Sequence, residues 1–253
     1  MALTFIHNAS PSLDEDDVLH LVFVFVTLRN GQTSSQLAMI GNPWSVQKYQ
    51  ITQENPLMLP DTYQQRNKEG EIIFADAPDF RPNLTPREIF LLGSFGGTYW
   101  RPIYSTITHA SYANEHLQYP ASWWKGIPDP MLTSPWEAYD RSLNQYKVKV
   151  GTTLAFWEQK EWITEYHPYG WVQWYCDFYL GKRSPDDPRQ IKRWIRTAGP
   201  KSRFRRALIN LIKKKKGAYD TLTISPKIRQ TLQHWAYRLT QRDFDTTPPS
   251  TGR

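Results

Sequence analysis

Apolar residues recur at helical spacing over the last third of the chain, and this pattern predicts three amphipathic helices. The first begins at residues 184–187, where serine and proline precede two acids, and ends at Gly199. The second spans residues 201–216, and the third begins at Ser225 and Pro226. Each helix has one apolar face and one basic face, so we expect the three to pack as a basic subdomain over residues 181–244.

Strand periodicity is more frequent earlier in the chain. Residues 18–27 are rich in Val and Phe, and the tight-turn pair Asn30-Gly31 separates them from a second apolar stretch at residues 37–40, so a β-hairpin is predicted. Residues 145–153 alternate between apolar and lysine positions, which is typical of a half-buried strand. Residues 154–166 fit a strand and a helix equally well.

Together these patterns predict an α+β fold. Residues 13–180 are expected to form a mixed, mostly antiparallel β body with an aromatic-rich core, which the basic three-helix segment closes. Residues 1–12 and 245–253 are expected to be flexible tails. Because residues 181–184 are too short to act as a free linker, we expect residues 1–253 to fold as a single domain.

A glycine-containing loop lies between these regions. Residues 85–88 are a good cap and start for a short helix ending near residue 92, and glycines follow at positions 93, 96 and 97. The backbone amides of such a loop can hold a phosphate, but the spacing matches neither the P-loop nor the dinucleotide pattern. A plain tight turn is therefore the favoured interpretation.

The charge is distributed unevenly along the chain. The whole chain of 253 residues carries a net charge of +7, but residues 1–180 have a net charge of −7 and the last 73 residues one of +14. Clustered Lys and Arg repel one another unless a polyanion neutralises them, so this asymmetry predicts a nucleic-acid partner. The alternative is a solvated face that docks on the acidic part. The candidate phosphate-binding residues are Arg183, Arg189, Lys192, Arg193, Arg196, Arg203, Arg205, Arg206, Lys213, Lys214, Lys215 and Lys216.

The densest aromatic stretch, residues 167–183, lies where the acidic and basic parts meet. Gln173 and Asp177 are the strongly polar residues within 171–180, and their spacing of four places them on one face of a helix or a strand. One interpretation is a pocket whose rings stack on a flat ligand while the polar pair reads its edge. The other is a buried helix whose polar groups are satisfied internally. The candidate pocket residues are Trp100, Arg101, Trp171, Gln173, Trp174, Tyr175 and Asp177.

Several classes of protein and site are excluded at this stage. The single cysteine, Cys176, rules out an internal disulfide framework, and the six histidines show no metal-ligand spacing, so we expect no metal and no cofactor. The longest apolar run, residues 18–26, is too short to span a membrane, and no secretion signal precedes it. We expect an intracellular protein, nuclear or cytoplasmic. Residues 213–216 resemble a nuclear import signal.

Several motifs resemble a family of uncharacterised conserved proteins. They are FGGTYWRPI at residues 95–103, HPYGWVQWYC at 167–176 and DDPRQIKRW at 186–194. The resemblance covers about residues 80–239 and implies no activity, substrate or cofactor. The family often has a basic residue after the cysteine, where this chain has Asp177. The polar and aromatic positions shared with the family pattern are Gln173, Arg183, Asp187, Arg189, Gln190 and Trp194.

Three functions follow from these observations. The first is a nucleic-acid-binding protein that uses the basic helices for phosphates and the aromatic segment for stacking or support. The second is an enzyme acting on a small aromatic or nucleotide-like molecule, with Asp177 or His167 as general acid or base and Arg101 or Arg183 holding an anion. The third is a structural module that binds a protein partner. The sequence leaves the oligomeric state open.

Overall fold

The structure is a computed structural model that describes residues 64–248 and the backbone of two strands nearer the N-terminus. Its contacts divide the chain into two compact units, residues 1–56 and 57–253. Residues on both sides of position 181 lie in the second unit. The expectation that residues 1–253 form a single domain stays a prediction.

The first unit contains the predicted hairpin. Strands β1 (His20–Thr27) and β2 (Thr33–Ile40) pair antiparallel, in a register that joins His20 to Ile40 and Thr27 to Thr33. The second strand begins four residues earlier than its apolar stretch predicts. The Asn30-Gly31 turn and residues 1–12 lie outside the described residues, as do residues 249–253.

The second unit is built from helices and short turns. Its α-helices are α1 (Pro86–Leu91), α2 (Ala121–Trp124), α3 (Leu154–Gln159), α4 (Trp171–Tyr179), α5 (Asp187–Ala198), α6 (Arg203–Lys214), α7 (Pro226–His234) and α8 (Gln241–Thr246). Strands β3 (Ile103–Ser105) and β4 (Ala110–Tyr112) pair antiparallel. In the described part of this unit, β3 and β4 are the only named strands, so the expectation of a mostly β body is wrong.

Residues 145–153 show why the strand periodicity was misleading. Exposure does alternate here, since Lys147 and Lys149 are exposed and the valines between and after them are half-buried. No second strand pairs with this segment within residues 64–248. Side chains take the place of a partner strand: the Gln230 side chain accepts the Tyr146 amide, and the Asn144 side-chain amide donates to the Val148 carbonyl. Residues 154–159 then form a helix, which Thr153 caps.

The core of this unit is aromatic, as the sequence predicts. Phe80 lies at its centre, with the rings of Trp171, Trp174, Tyr175, Phe178 and Trp194 all within 6.4 Å of it between centroids. Aromatic rings bury large apolar areas and favour such edge-on and offset contacts. Helix α4 is buried at every position except Asp177, so it passes through the core with no wet face.

The three C-terminal helices are confirmed. Helices α5, α6 and α7 lie at the predicted places, α5 packs against α6, and α6 packs against α7. Helix α8 was not predicted. Thr240 caps it, and it extends to Thr246, so the ordered chain continues past the expected tail boundary at residue 245.

Candidate nucleic-acid interface

Helix α6 presents Arg203, Arg206 and Lys214 to solvent because its sequence is amphipathic. Successive residues turn by about 100°, which places Leu208, Ile209 and Ile212 together on the buried side. Arg203 and Lys214, eleven residues apart, return to nearly the same direction on the opposite side. The Ser202 hydroxyl accepts the Arg205 amide and starts the helix.

Helix α5 is oriented by the same principle. Gln190, Trp194 and Ala198 are buried, and Lys192 and Arg196, one turn apart, face outward. The cations that are exposed on or directly after these two helices form what we call the α5–α6 basic face: Lys192, Arg196, Arg203, Arg206, Lys214, Lys215 and Lys216. None of their side chains makes a hydrogen bond or an ion pair with the described part of the chain.

Five of the predicted phosphate-binding residues are already occupied inside the protein. Arg183 forms two hydrogen bonds with Asp76, at 2.6 and 3.1 Å, and lies 3.7 Å from the centre of the Phe178 ring. Arg189 pairs with the Asp186 carboxylate, and its NH2 group donates at 2.8 Å. Both residues therefore already have an acidic partner, and the expectation that they bind phosphate stays a prediction.

The other three occupied cations hold helices to their neighbours. Arg205 is 3% exposed and lies 3.9 Å from the Tyr237 ring centre, beside Asp243. Lys213 donates to the Thr247 carbonyl. Arg193 donates to the Trp162 carbonyl and to Gln190; burial, followed by the nearby charge of Arg189, lowers the pKa of Arg193 to about 10. The expectation that these three bind phosphate also stays a prediction.

The predicted pocket residues of the aromatic segment are core residues. Trp100, Trp171, Trp174 and Tyr175 are each at most 6% exposed. Their polar groups are directed inward as well, since the Trp174 indole donates to Asp187 at 2.8 Å and the Tyr175 hydroxyl to the Leu84 carbonyl at 2.8 Å. The rings contact one another within the core, and the expectation that they stack on bases stays a prediction.

Gln173 and Arg101 have structural roles too. The Gln173 side-chain oxygen accepts the Tyr169 amide at 2.9 Å and so braces the start of α4, and the Gln173 amide donates to the Tyr99 hydroxyl at 2.8 Å. Arg101 donates to the Thr98 carbonyl and lies over the Trp136 ring. Neither side chain lies free in a cavity.

The structure does bring Asp177 and His167 together. One oxygen of Asp177 lies 3.5 Å from Nε2 of His167 and the other 2.8 Å from the Lys182 ammonium. Burial acts to raise the pKa of Asp177, but the His167 hydrogen bond and the Lys182 charge outweigh it, so this pKa is lowered. His167 is 4% exposed, and its ring lies 6.4 Å from that of Tyr166 between centroids. A role of either residue as general acid or base stays a prediction. Burial also raises the pKa of the neighbouring Cys176 thiol well above its ordinary value, which leaves it unreactive.

The glycine loop has its amides bound within the protein. The Gly96 amide donates to the Asn144 side chain at 2.8 Å, and the Phe95 amide donates to His234. The Gly97 amide donates to the Ser94 carbonyl. This is the tight turn that the spacing favours, and these amides are not available to a phosphate.

The sequence patterns did not predict the acidic partners of Arg183, Arg189 and Arg205. Asp186 lies three residues before Arg189, a spacing that does predict a helical ion pair. Asp76 and Asp243 lie 107 and 38 residues from their arginines, so no local pattern could have found them. Only the tertiary fold separates the occupied cations from the free ones.

Other kinds of site were also searched for. Within residues 64–248, no group of three His, Cys, Asp or Glu side chains is placed to hold a metal ion. No helix in the described ranges is both long and apolar enough to cross a bilayer. Comparisons with protein-family models, curated proteins and solved structures found no match to this chain. The family resemblance of its motifs stays a prediction.

Proposed function

We propose that this protein binds nucleic acid through the α5–α6 basic face. The observation that carries the proposal is the state of its seven cations: all are exposed, and none is paired with the described part of the chain. Clustered like charges repel one another. Bound phosphates relieve that repulsion and release counterions into solution.

The spacing of the cations suits a polyanion better than a small anion. Arg203 and Lys214 are separated by eleven residues, or about 16 Å along the helix axis. Duplex DNA presents a phosphate about every 3.4 Å along each strand, so the face spans several phosphates at once. A single small anion would neutralise one end of this face and leave the other unpaired.

The aromatic segment supports this face from the core. The Trp174 indole holds Asp187, the first residue of α5. The Trp194 indole, in the middle of α5, donates to the Trp235 carbonyl at 2.8 Å. Buried hydrogen bonds of this kind fix the position of α5, so Lys192 and Arg196 are presented on a rigid element.

Fluorescence anisotropy of the full chain with labelled duplex DNA, single-stranded DNA and RNA tests the proposal. The test variant carries Arg196→Gln, Arg203→Gln, Arg206→Gln and Lys214→Gln. The matched control carries Lys68→Gln, Lys125→Gln, Arg141→Gln and Lys227→Gln, which remove the same charge from exposed positions elsewhere. Each variant is checked for folding by near-UV circular dichroism.

We expect the test variant to bind at least tenfold more weakly at about 0.1 M salt, with a salt slope reduced by about 3.6 for duplex DNA. The control should bind within about threefold of the parent protein. Equal losses in both variants would show that total charge, and not this face, is responsible. Absence of binding of the parent to all three nucleic acids would overturn the proposal, and tighter binding to polyglutamate would favour an acidic protein partner.

A further inference from the structure

A pocket of about 530 Å³ lies beside α2, away from the residues assigned above. This volume is within the range of small-molecule sites. The residues that line it are His116, Leu117, Tyr119, Ala121, Ser122, Trp124, Lys125 and Asp129. All eight come from one stretch of fourteen residues, so a local loop builds the pocket.

The walls are held in place by contacts within that loop. The Trp124 indole donates to the His116 carbonyl at 2.9 Å, and the rings of these two residues meet edge to face. Tyr119 is 3% exposed and lies 5.4 Å from Trp100 between ring centres, which ties the back wall to the core. Leu117 also lines the pocket and is 68% exposed. The pocket therefore has aromatic and aliphatic walls.

Two polar atoms in these walls have no partner. Nδ1 of His116 and Oγ of Ser122 are shielded from solvent and make no hydrogen bond to the described residues. His116 is 6% exposed as a whole. Buried polar atoms are nearly always hydrogen-bonded, so two unpaired ones in a single pocket wall call for an explanation. A bound molecule supplies one if the two side chains rotate to meet it, because neither atom is accessible in its present orientation.

The charges of the pocket define the ligand further. Lys125 and Asp129 contribute one positive and one negative charge, so the pocket has no net preference for an ion. Burial, opposed in part by the Asp129 charge, lowers the pKa of His116, so its imidazole is neutral and can both donate and accept. The remaining wall is Trp, Tyr, Leu and Ala.

We propose that this pocket binds a flat, uncharged aromatic molecule of one or two rings that carries a hydroxyl or a ring N–H group. Its rings lie against Trp124 and Leu117, and its polar group pairs with His116 and Ser122. This site is independent of the α5–α6 basic face.

Saturation-transfer NMR of the full chain with indole and phenol tests the site. Ala121 is exposed and lines the pocket, so Ala121→Phe fills it without disturbing the core. Ala155→Phe, at an exposed alanine of α3, is the matched control. Ser122→Ala removes one of the two polar partners and no existing hydrogen bond.

We expect indole and phenol to bind the control as tightly as the parent protein. They should bind at least tenfold more weakly to Ala121→Phe and about fivefold more weakly to Ser122→Ala. Cyclohexanol and benzoate should bind at least tenfold more weakly than phenol. Equal binding to Ala121→Phe, or benzoate binding as tight as phenol, would overturn the proposal. If Ala121→Phe does not fold, the Trp124 indole N–H resonance decides, because it must shift when phenol is titrated into the parent.

Discussion

Gly97 and Gly126 share a backbone conformation, with φ of +83° and +82°, but their surroundings differ. A Cβ on Gly97 would lie 2.4 Å from the Pro130 carbonyl oxygen, whereas one on Gly126 would meet no atom of the described chain within 4 Å. Gly126→Ala should therefore cost only the left-handed backbone penalty, about 1–2 kcal/mol, and Gly97→Ala should cost more because the backbone must also move. Urea unfolding measures the free energy of unfolding of both variants. Equal losses of stability would contradict the close approach of the Pro130 carbonyl to Gly97.

His234 makes stability depend on pH. It is fully buried, stacks on Phe95 and accepts the Phe95 amide, and burial lowers its pKa from 6.5 to about 3. The His234 imidazole of the unfolded chain therefore takes up a proton near pH 6.5, whereas that of the folded chain does so only near pH 3. The contribution of neutral His234 to the free energy of unfolding is complete above pH 6.5. It is lost at about 1.4 kcal/mol per pH unit as the pH falls toward 3.

His234→Gln should remove this dependence while it keeps a group that can accept the Phe95 amide. Urea unfolding between pH 5.5 and 4.5 should give the variant a slope smaller by about 1.4 kcal/mol per pH unit, since the carboxylates titrate in both proteins. His109→Asn is the control, because the His109 ring is exposed in the folded chain as in the unfolded one. A slope identical to that of the parent would show that His234 is protonated in the folded state.

At the scale of elements, one hydrogen bond joins the core helix α4 to the basic helix α5. The Trp174 indole donates to the Asp187 carboxylate, which also accepts the Ser184 amide and hydroxyl. A double-mutant cycle with Trp174→Phe and Asp187→Asn should give a coupling energy of about 1.5–3 kcal/mol, the usual range for a bond to a charged group. A coupling below about 0.5 kcal/mol would mean that packing alone positions α5.

The elements also show how far sequence patterns reach. Helices α5 and α6 could be predicted because amphipathic periodicity and caps are local. The strand predicted at residues 145–153 failed because alternation records exposure and not pairing, and Gln230, about 80 positions away, takes the place of a partner strand. For the same reason the sequence locates the basic helices but not the ion pairs of Arg183 and Arg205, because their partners Asp76 and Asp243 are distant in the chain.

At the scale of the whole molecule, the two units carry net charges of opposite sign. Residues 1–56 carry a net charge of −3, so residues 57–253 carry +10. The α5–α6 basic face lies entirely in the second unit. Under the proposed function, an acidic first unit weakens the long-range attraction of a polyanion to the protein.

A fragment of residues 57–253 should therefore keep the near-UV circular dichroism of the aromatic core, because the described core residues all lie within it. It should bind nucleic acid at least as tightly as the full chain, and with the same salt slope, because the number of contacted phosphates is unchanged. Circular dichroism and anisotropy of fragment and full chain measure both quantities. A smaller slope in the fragment would place phosphate contacts in residues 1–56. An unfolded fragment would instead show that residues 1–56 complete the core, as the sequence-based expectation of one domain requires.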